Sequence, residues 1–252
     1  MLVRGLTVAV TGANRGLGRA IAERAADAGA DLLLLGRDLD ALRGVAAATG
    51  GEVRYLDLAD PATIGPALSG RVDVLVNNGG VTGPIGPSWE VADRDWWEAM
   101  EVNVRGTVQA CHAVLPGMLA RHSGRVINIV SNAGRLTWPS VSSYSVSKAA
   151  VIKFTENVAE ELRNRGVSVF SFHPGLLDIG MAGGHLNERR STDPWRNQIR
   201  IWLRMERKAG RFTPLSQALE TLLLLLDGTA DPLSGSYLTA DDDIAALVKE
   251  KS

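Results

Sequence analysis

Cysteine is almost absent from this chain: Cys111 is the only one in 252 residues. It cannot close an intrachain disulfide, so a reducing, intracellular and hence cytoplasmic setting is expected. Net charge is nearly absent as well. The 27 Lys and Arg stand against 28 Asp and Glu, a formal −1, so no overall pull toward nucleic acid or an anionic membrane exists and neither is expected as a partner. Long hydrophobic runs are missing too. None exceeds Leu222 to Leu226, far short of the ~20 residues of a membrane span. Met1 to Gly5 is too short, and too soon followed by a strand pattern, to read as a signal peptide. Internal repeats, low-complexity tracts and interdomain linkers are lacking. What remains has an ordinary apolar fraction, 45%, and the length of one large α/β domain with a sizeable core, taken as residues 1–252.

The apolar runs that do occur are short and regularly spaced. Leu6 to Val10 predicts a buried first strand, feeding TGANRGLG (Thr11 to Gly18) and then a helical pattern that ends at Gly29. Gly12, Gly16 and Gly18 allow a tight turn, close backbone approach and close packing of helix on strand. Amides along Gly12, Asn14, Arg15, Gly16, Leu17 and Gly18 would face a pyrophosphate, aided by the helix dipole. The spacing G-x-x-x-G-x-G differs from the dinucleotide fingerprint G-x-G-x-x-G, and a glycine-rich turn without a ligand is the plainer alternative.

Asp31 to Leu35 predicts a second strand, ended by Gly36-Arg37-Asp38. An acidic residue there usually holds ribose hydroxyls, whereas arginine suits a 2′-phosphate. Arg37 and Arg15 together point to NADP(H) rather than NAD(H), although Asp38 can pair with Arg37 and cap the helix from Leu39. A third strand over Val53 to Leu56 ends at Asp57-Leu58, where the carboxylate can reach an adenine amino group or, like Asp60, cap the helix begun by Pro61. A fourth, Val72 to Val76, runs into Asn77-Asn78-Gly79-Gly80. The amides there can bridge strands, Asn78 is placed beside the cofactor, and the glycines leave room for a flat ligand.

Asp93 to Leu119 predicts one long helix with Asp93 as N-cap. Asn103 interrupts its apolar surface, and a buried amide must either bond backbone, kinking the helix, or hold an ordered water. A strand over Val126 to Val130 leads through a short loop into a helix from about Ser143. Tyrosine and lysine are scarce, three and five, yet Tyr144 and Lys148 stand four apart, on one helix face. An ammonium beside a phenol favours phenolate and lowers its pKa, which suits proton exchange with a carbonyl or alcohol near neutral pH. Ser131 is placed to hold the same oxygen. Taken alone, the pair could also be an ordinary exposed Tyr and Lys. A sixth strand, Val167 to Phe172, is closed by Pro174-Gly175; a helix over Ser216 to Leu226, a strand over Ser236 to Leu238 and a helix over Asp241 to Lys249, capped by Asp241, complete the chain. Alternating strands and helices predict a parallel sheet covered on both faces.

With these pieces on the page, the chain resembles the short-chain dehydrogenase/reductase family over essentially its whole length. The family's T-G-x-x-x-G-x-G matches Thr11 to Gly18, and its N-N-A-G matches Asn77 to Gly80 with Gly79 in place of alanine. Its N-x-x-G matches Asn103 to Gly106, its serine thirteen residues before the tyrosine is Ser131, and its Y-x-x-x-K is Tyr144 to Lys148. The resemblance implies a doubly wound, Rossmann-like three-layer α/β fold with a seven-stranded parallel sheet, binding a nicotinamide dinucleotide at the carboxyl ends of its strands. It implies Tyr144 as general acid/base and Lys148 as the residue that lowers its pKa and bonds the nicotinamide ribose. Ser131 would orient the substrate oxygen, and Asn103 would hold a water linking Lys148 to solvent. Tyr144 and Lys148 thus also belong to the cofactor site, joined by Pro174, Gly175 and Leu177; no metal is called for. Two departures stand out. Ile179 replaces the usual threonine after Pro174-Gly175, leaving the backbone of Leu176 to Ile179 to hold the ring, and LTADDDI (Leu238 to Ile244) replaces the common D-G-G ending.

Substrate choice is expected in a variable lid at about 177–212. It carries Arg189, Arg190, Arg196, Arg200, Arg204, Arg207, Lys208 and Arg211 against Asp178, Glu188, Asp193 and Glu206. Trp195 and Trp202 lie within it and Trp138 in the loop before Tyr144. With Ser131 and Tyr144 these tryptophans are expected to wall a pocket for an apolar ketone, the basic groups meeting a carboxylate or carrier phosphate. The plainer reading is an amphipathic helix with Ile199, Trp202 and Leu203 inward and arginines outward; His185 is expected on the lid surface. The function expected is NADPH-dependent reduction of a ketone or other carbonyl to an alcohol, or the reverse. The alternative is a non-redox cyclase or dehydratase with structural NADP, which only Ile179 favours; a dinucleotide-sensing binder would normally lack Tyr144 or Lys148. An apolar stripe on the Tyr144 helix (Ala149, Ile152, Val158, Leu162), with Met100, Val104 and Val108 on the preceding one, predicts a homodimer through the four-helix interface of family members. The three carboxylates of LTADDDI weigh against the second interface of a homotetramer.

Overall fold

The computed structural model describes residues 3–187 and 191–251; Glu188, Arg189 and Arg190, counted among the lid charges, lie outside them, as does Met1. Seven strands form one parallel sheet: β1 (Thr7–Thr11), β2 (Asp31–Gly36), β3 (Glu52–Tyr55), β4 (Val74–Asn77), β5 (Gly124–Ile129), β6 (Val167–His173) and β7 (Tyr237–Thr239). Their order is 3-2-1-4-5-6-7. The progression reverses between β1 and β4, which opens a crevice at the carboxyl ends of those two strands.

The strand sequences dictate burial on both faces. Val8 and Val10, Leu32 and Leu34, Val74 and Val76, Ile127 and Ile129, and Phe170 and Phe172 enter one apolar layer. Ala9, Leu33, Leu35, Leu75, Val126 and Val169 enter the other. Successive strand side chains point to opposite faces, so a strand covered on both sides is apolar throughout, as Leu32 to Leu35 is. Each such Leu or Phe contributes about 1.5–3 kcal/mol when fully buried.

The first layer is closed by α1 (Gly16–Asp27), α2 (Leu39–Thr49), α9 (Leu215–Leu226) and α10 (Ile244–Lys251); α3 (Pro61–Ala67), α5 (Gly106–Ala120) and α6 (Ser142–Glu161) cover the second. Helices α4 (Asp93–Met100), α7 (Gly180–Asn187) and α8 (Pro194–Lys208) complete the chain. Asp38 and Asp60 cap α2 and α3, each accepting a backbone N–H at 3.0 Å, from Ala41 and Ala62. Cys111 is buried in α5, and burial pushes its thiol up to about 12, which keeps it protonated. Among the described residues no helix is long and apolar enough to cross a membrane.

Three expectations are corrected. The helix expected from Asp93 to Leu119 is interrupted by a π-helical turn at Glu101–Arg105, and its N-cap is Ala92, without a side-chain bond. Asp93 and Asp95 occupy the first turn instead, where carboxylates suit the helix dipole. At the other end α10 begins only at Ile244, because Asp243 rather than Asp241 does the capping: its carboxylate accepts the Ala246 N–H at 3.0 Å, while Asp241 accepts from Gln217 Nε2 at 2.8 Å. In the α6 stripe, Ile152, Val158 and Leu162 are buried in the chain's own core, so only its flanks, with half-buried Met100, Val104 and Val108, remain for a partner.

Candidate active site

The glycine turn is fixed from two sides. Gly12 and Ala13 N–H donate to the Leu35 carbonyl at 2.8 and 3.2 Å, tying it to the end of β2. Asn78 Nδ2 donates to the Thr11 carbonyl at 2.9 Å, and the Thr11 hydroxyl accepts the N–H groups of Asn78 and Gly79 at 3.0 and 2.8 Å. Asn78 therefore shapes the cradle by bracing it. Gly18 has no space for a side chain: a Cβ there would lie 2.2 Å from the Gly12 carbonyl oxygen. At Gly79, in place of the family's alanine, a Cβ would meet only the end of the Leu58 side chain, Cδ1 at 2.8 Å, which can shift.

These residues fit a dinucleotide. Arg15 is the N-cap of α1 but makes no side-chain capping bond, and the first turn holds no acid. The leading amides are thus open to an anion. Asn14 Oδ1 lies 3.7 Å from where a Cβ on Gly36 would be, so the missing side chain leaves space between the glycine turn and β2. Arg37 extends beyond Gly36, two-thirds exposed, with Asp57 Oδ2 at 3.9 Å. Asp57 Oδ1 accepts the Ala59 N–H at 3.0 Å, a local turn bond. The partner of Arg37 is thus Asp57, while Asp38 caps α2. Leu58 and Leu177, expected at the cofactor, are buried in the two apolar layers, so their side chains serve packing. Ile179 packs with Leu17 against the first layer, which accounts for an isoleucine at the family's threonine position. Gly175 has φ +82° and leaves no room for a Cβ beside Thr213, and Gly180 closes over Gly16, whose Cβ would meet it at 2.9 Å. The Pro174–Gly180 loop thus roofs the glycine turn.

Across the crevice, a buried ladder ties the floor together. Asn77 Nδ2 donates to Asn128 Oδ1 at 2.8 Å, and Asn128 Nδ2 donates to the Thr155 hydroxyl at 2.9 Å, linking β4, β5 and α6. Ser131 follows β5, and its hydroxyl lies near enough to the Tyr144 phenol to pull the phenol pKa down. Lys148 is buried behind them; Nζ donates to the Ile129 carbonyl at 2.8 Å and lies 5.7 Å from the Tyr144 ring centre. Asn103 Oδ1 accepts the Val81 N–H at 2.9 Å, while Nδ2 donates to the Val81 carbonyl at 2.8 Å and the Ser147 hydroxyl at 3.0 Å. Gly80 borders both groups: a Cβ there would lie 2.9 Å from Asn103 Oδ1 and 3.8 Å from Lys148 Nζ. All four expected catalytic residues therefore meet at the carboxyl end of β4 and β5.

The electrostatics differ from the expectation. Burial raises the Tyr144 pKa, and the opposing influence comes from the Ser131 hydroxyl rather than Lys148. Burial also pushes Lys148 down to about 8, because an ammonium loses hydration there. At neutral pH the arrangement holds a protonated phenol beside a hydroxyl, with a lysine able to exchange protons close behind.

Above the site, Trp138 meets Trp202 of α8 edge to face, with ring centres 5.0 Å apart. Trp195 lies instead against Gly86 in the loop after β4, where a Cβ would meet its Cδ1 at 3.5 Å. Leu203 is buried, while Arg204, Arg207 and Arg211 are exposed. Arg207 pairs with Asp178 at 2.7 Å and Arg211 with Glu206 at 2.6 Å. Those charges follow the plainer amphipathic reading. Sequence reasoning missed Ser147, which stands three residues after Tyr144 on the buried face, and also His173 and Tyr237, discussed below.

The short chain dehydrogenase family model matches residues 6–190. Short chain dehydrogenase pigC of Monascus ruber is 34% identical, over 98% of this chain and 82% of its own length. The 3-oxoacyl-acyl-carrier-protein reductase FabG of Vibrio cholerae is 32% identical, over 76% of this chain and 82% of its own. Among solved structures, an actinorhodin polyketide ketoreductase variant determined with NADPH superposes with a TM-score of 0.82 at 27% identity, covering 95% of this chain and 97% of that one.

Proposed function

The chain belongs to the short-chain dehydrogenase/reductase family and is an NAD(P)-dependent oxidoreductase, and from that premise we propose that it reduces a ketone to an alcohol with NADPH, or runs the reverse oxidation. The observation that carries this reading is the meeting of Ser131, Tyr144 and buried Lys148, its Nζ 5.7 Å from the Tyr144 ring centre, at the carboxyl ends of the strands that frame the glycine turn. A nicotinamide cofactor held at the glycine turn and Lys148 would supply the hydride chemistry at the carbonyl carbon. Ser131 holds the carbonyl oxygen, and Tyr144 gives it the phenolic proton, leaving the phenolate to be reprotonated through Lys148. A raised phenol pKa keeps that proton available at neutral pH, and a lysine near 8 returns it readily. Asn103 fixes the backbone on which both residues stand, and Lys148 also holds the nicotinamide ribose.

Preference for NADP(H) rests on Arg37, just beyond Gly36, and on Arg15 at the start of α1, with Asp57 damping the charge of Arg37. Trp138 and Trp202 wall an apolar pocket under a lid spanning 177–212, in a cytoplasmic protein forming at least a homodimer through α4, α5 and α6. A ketone panel followed at the NADPH absorbance band tests the assignment: consumption with at least one ketone is expected, and turnover without cofactor consumption would replace it with non-redox chemistry.

A further inference from the structure

One residue outside the catalytic set, Tyr237, grips the turn that carries Ser131, and His173 stacks on its ring. His173 ends β6, directly after Phe172, whose carbonyl accepts the N–H of Val130, the residue before Ser131, at 2.9 Å. Tyr237 opens β7, and its hydroxyl donates to Oδ1 of Asn132, the residue after Ser131, at 2.6 Å. The two rings stack, with centres 6.4 Å apart and planes 24° from parallel. Strand register brings them there: His173 pairs with Thr239, two residues beyond Tyr237, so they are diagonal neighbours within reach of aromatic rings. The Arg135 guanidinium covers the Tyr237 ring at 4.7 Å, and the ring packs against Val130, Val151 and Ile152.

Within its own loop Ser131 is weakly held. Its hydroxyl accepts the Ala133 N–H at 3.2 Å, a long bond, and the residues that follow, Asn132, Arg135 and Leu136, are exposed. We propose that Tyr237, steadied by its stack on His173, is the positioning device for Ser131, clamping Asn132 so that the hydroxyl stays beside the Tyr144 phenol. The proposal rests on Ser131 and Tyr144 being the reacting pair. Burial pushes His173 down to about 4, so the clamp is uncharged across the neutral range and any change in pH profile reports on Tyr144.

Tyr237→Phe keeps the ring, the stack and the cation over it while deleting one hydroxyl; Asn132→Ala deletes the acceptor. Each is expected to lower kcat about 5- to 20-fold, the scale of a small misplacement, with KM and NADPH affinity within about twofold. In a Ser131→Ala background both should add nothing, because their effect runs through that hydroxyl. A second readout needs no substrate. The ultraviolet titration of Tyr144, isolated by difference against the matching Tyr144→Phe protein, should move to higher pH in each variant as the Ser131 hydroxyl draws away from the phenol. A shifted titration in a protein that reduces no ketone would sink the reaction assignment and leave the clamp standing. Unchanged kcat and unchanged titration in both variants, or losses fully additive with Ser131→Ala, would overturn the clamp. If Tyr237→Phe does not fold, Asn132→Ala decides on the same outcomes.

Discussion

Asn103 donates to the Ser147 hydroxyl at 3.0 Å, and that hydroxyl donates in turn to the carbonyl of Tyr144 at 2.7 Å. The asparagine that sits in the π turn between α4 and α5 thus steadies the first turn of α6, where the reacting phenol stands. Its remaining two bonds hold both backbone groups of Val81. Asn103→Ala would leave buried partners unsatisfied and is expected to cost about 2–4 kcal/mol. Urea midpoints of the cofactor-free protein measure this; an unchanged midpoint would mean that the network is dispensable.

Arg37→Asp should turn cofactor preference from NADPH toward NADH. A carboxylate repels the 2′-phosphate and suits free ribose hydroxyls, and Asp57 already stands 3.9 Å from the guanidinium. NADPH affinity is expected to fall by about 1.5–3 kcal/mol, roughly 10- to 150-fold, read by fluorescence titration of both cofactors. Unchanged affinities would place the phosphate elsewhere.

Lys148 is destabilising as a buried cation. Its folded pKa is about 8 against an ordinary 10.5, so between those values the unfolded chain holds more protons and stability rises with pH. The full shift corresponds to about 3 kcal/mol. The cofactor-free Lys148→Met protein should be the more stable one at neutral pH, its advantage shrinking as pH climbs through that window. Denaturant midpoints across the window test this, and a gap independent of pH contradicts it.

Light scattering at micromolar concentration tests assembly. Two chains per particle are expected from the α4, α5 and α6 faces, where Trp97 is 54% exposed; four would show that the acidic run Asp241 to Asp243 does not block the second interface. One chain per particle would contradict the dimer.

Strands were legible because burial on both faces demands uninterrupted apolar runs, and Leu32 to Leu35 or Val74 to Val76 leave no other reading. The site was legible where chemistry is local: glycines that tolerate no Cβ, and a tyrosine and lysine one helical turn apart. It failed where an answer depended on partners distant in sequence. The spacing set Lys148 beside the phenol but could not reveal that its ammonium turns to the Ile129 carbonyl, leaving the Ser131 hydroxyl as the group that lowers the phenol pKa. Nothing local marks Tyr237; only the β6–β7 register carries it to Asn132.

The most direct test of the central claim follows the hydrogen itself. NADPH deuterated at the transferable position of its nicotinamide is incubated with a ketone substrate, and the alcohol is analysed by mass spectrometry for wild type and for Tyr144→Phe. The account predicts one deuterium on the carbinol carbon of the wild-type product, formed in step with NADPH loss, and product formation all but abolished in the phenylalanine variant while NADPH still binds. Product without deuterium, or near-wild-type turnover by Tyr144→Phe, would contradict it.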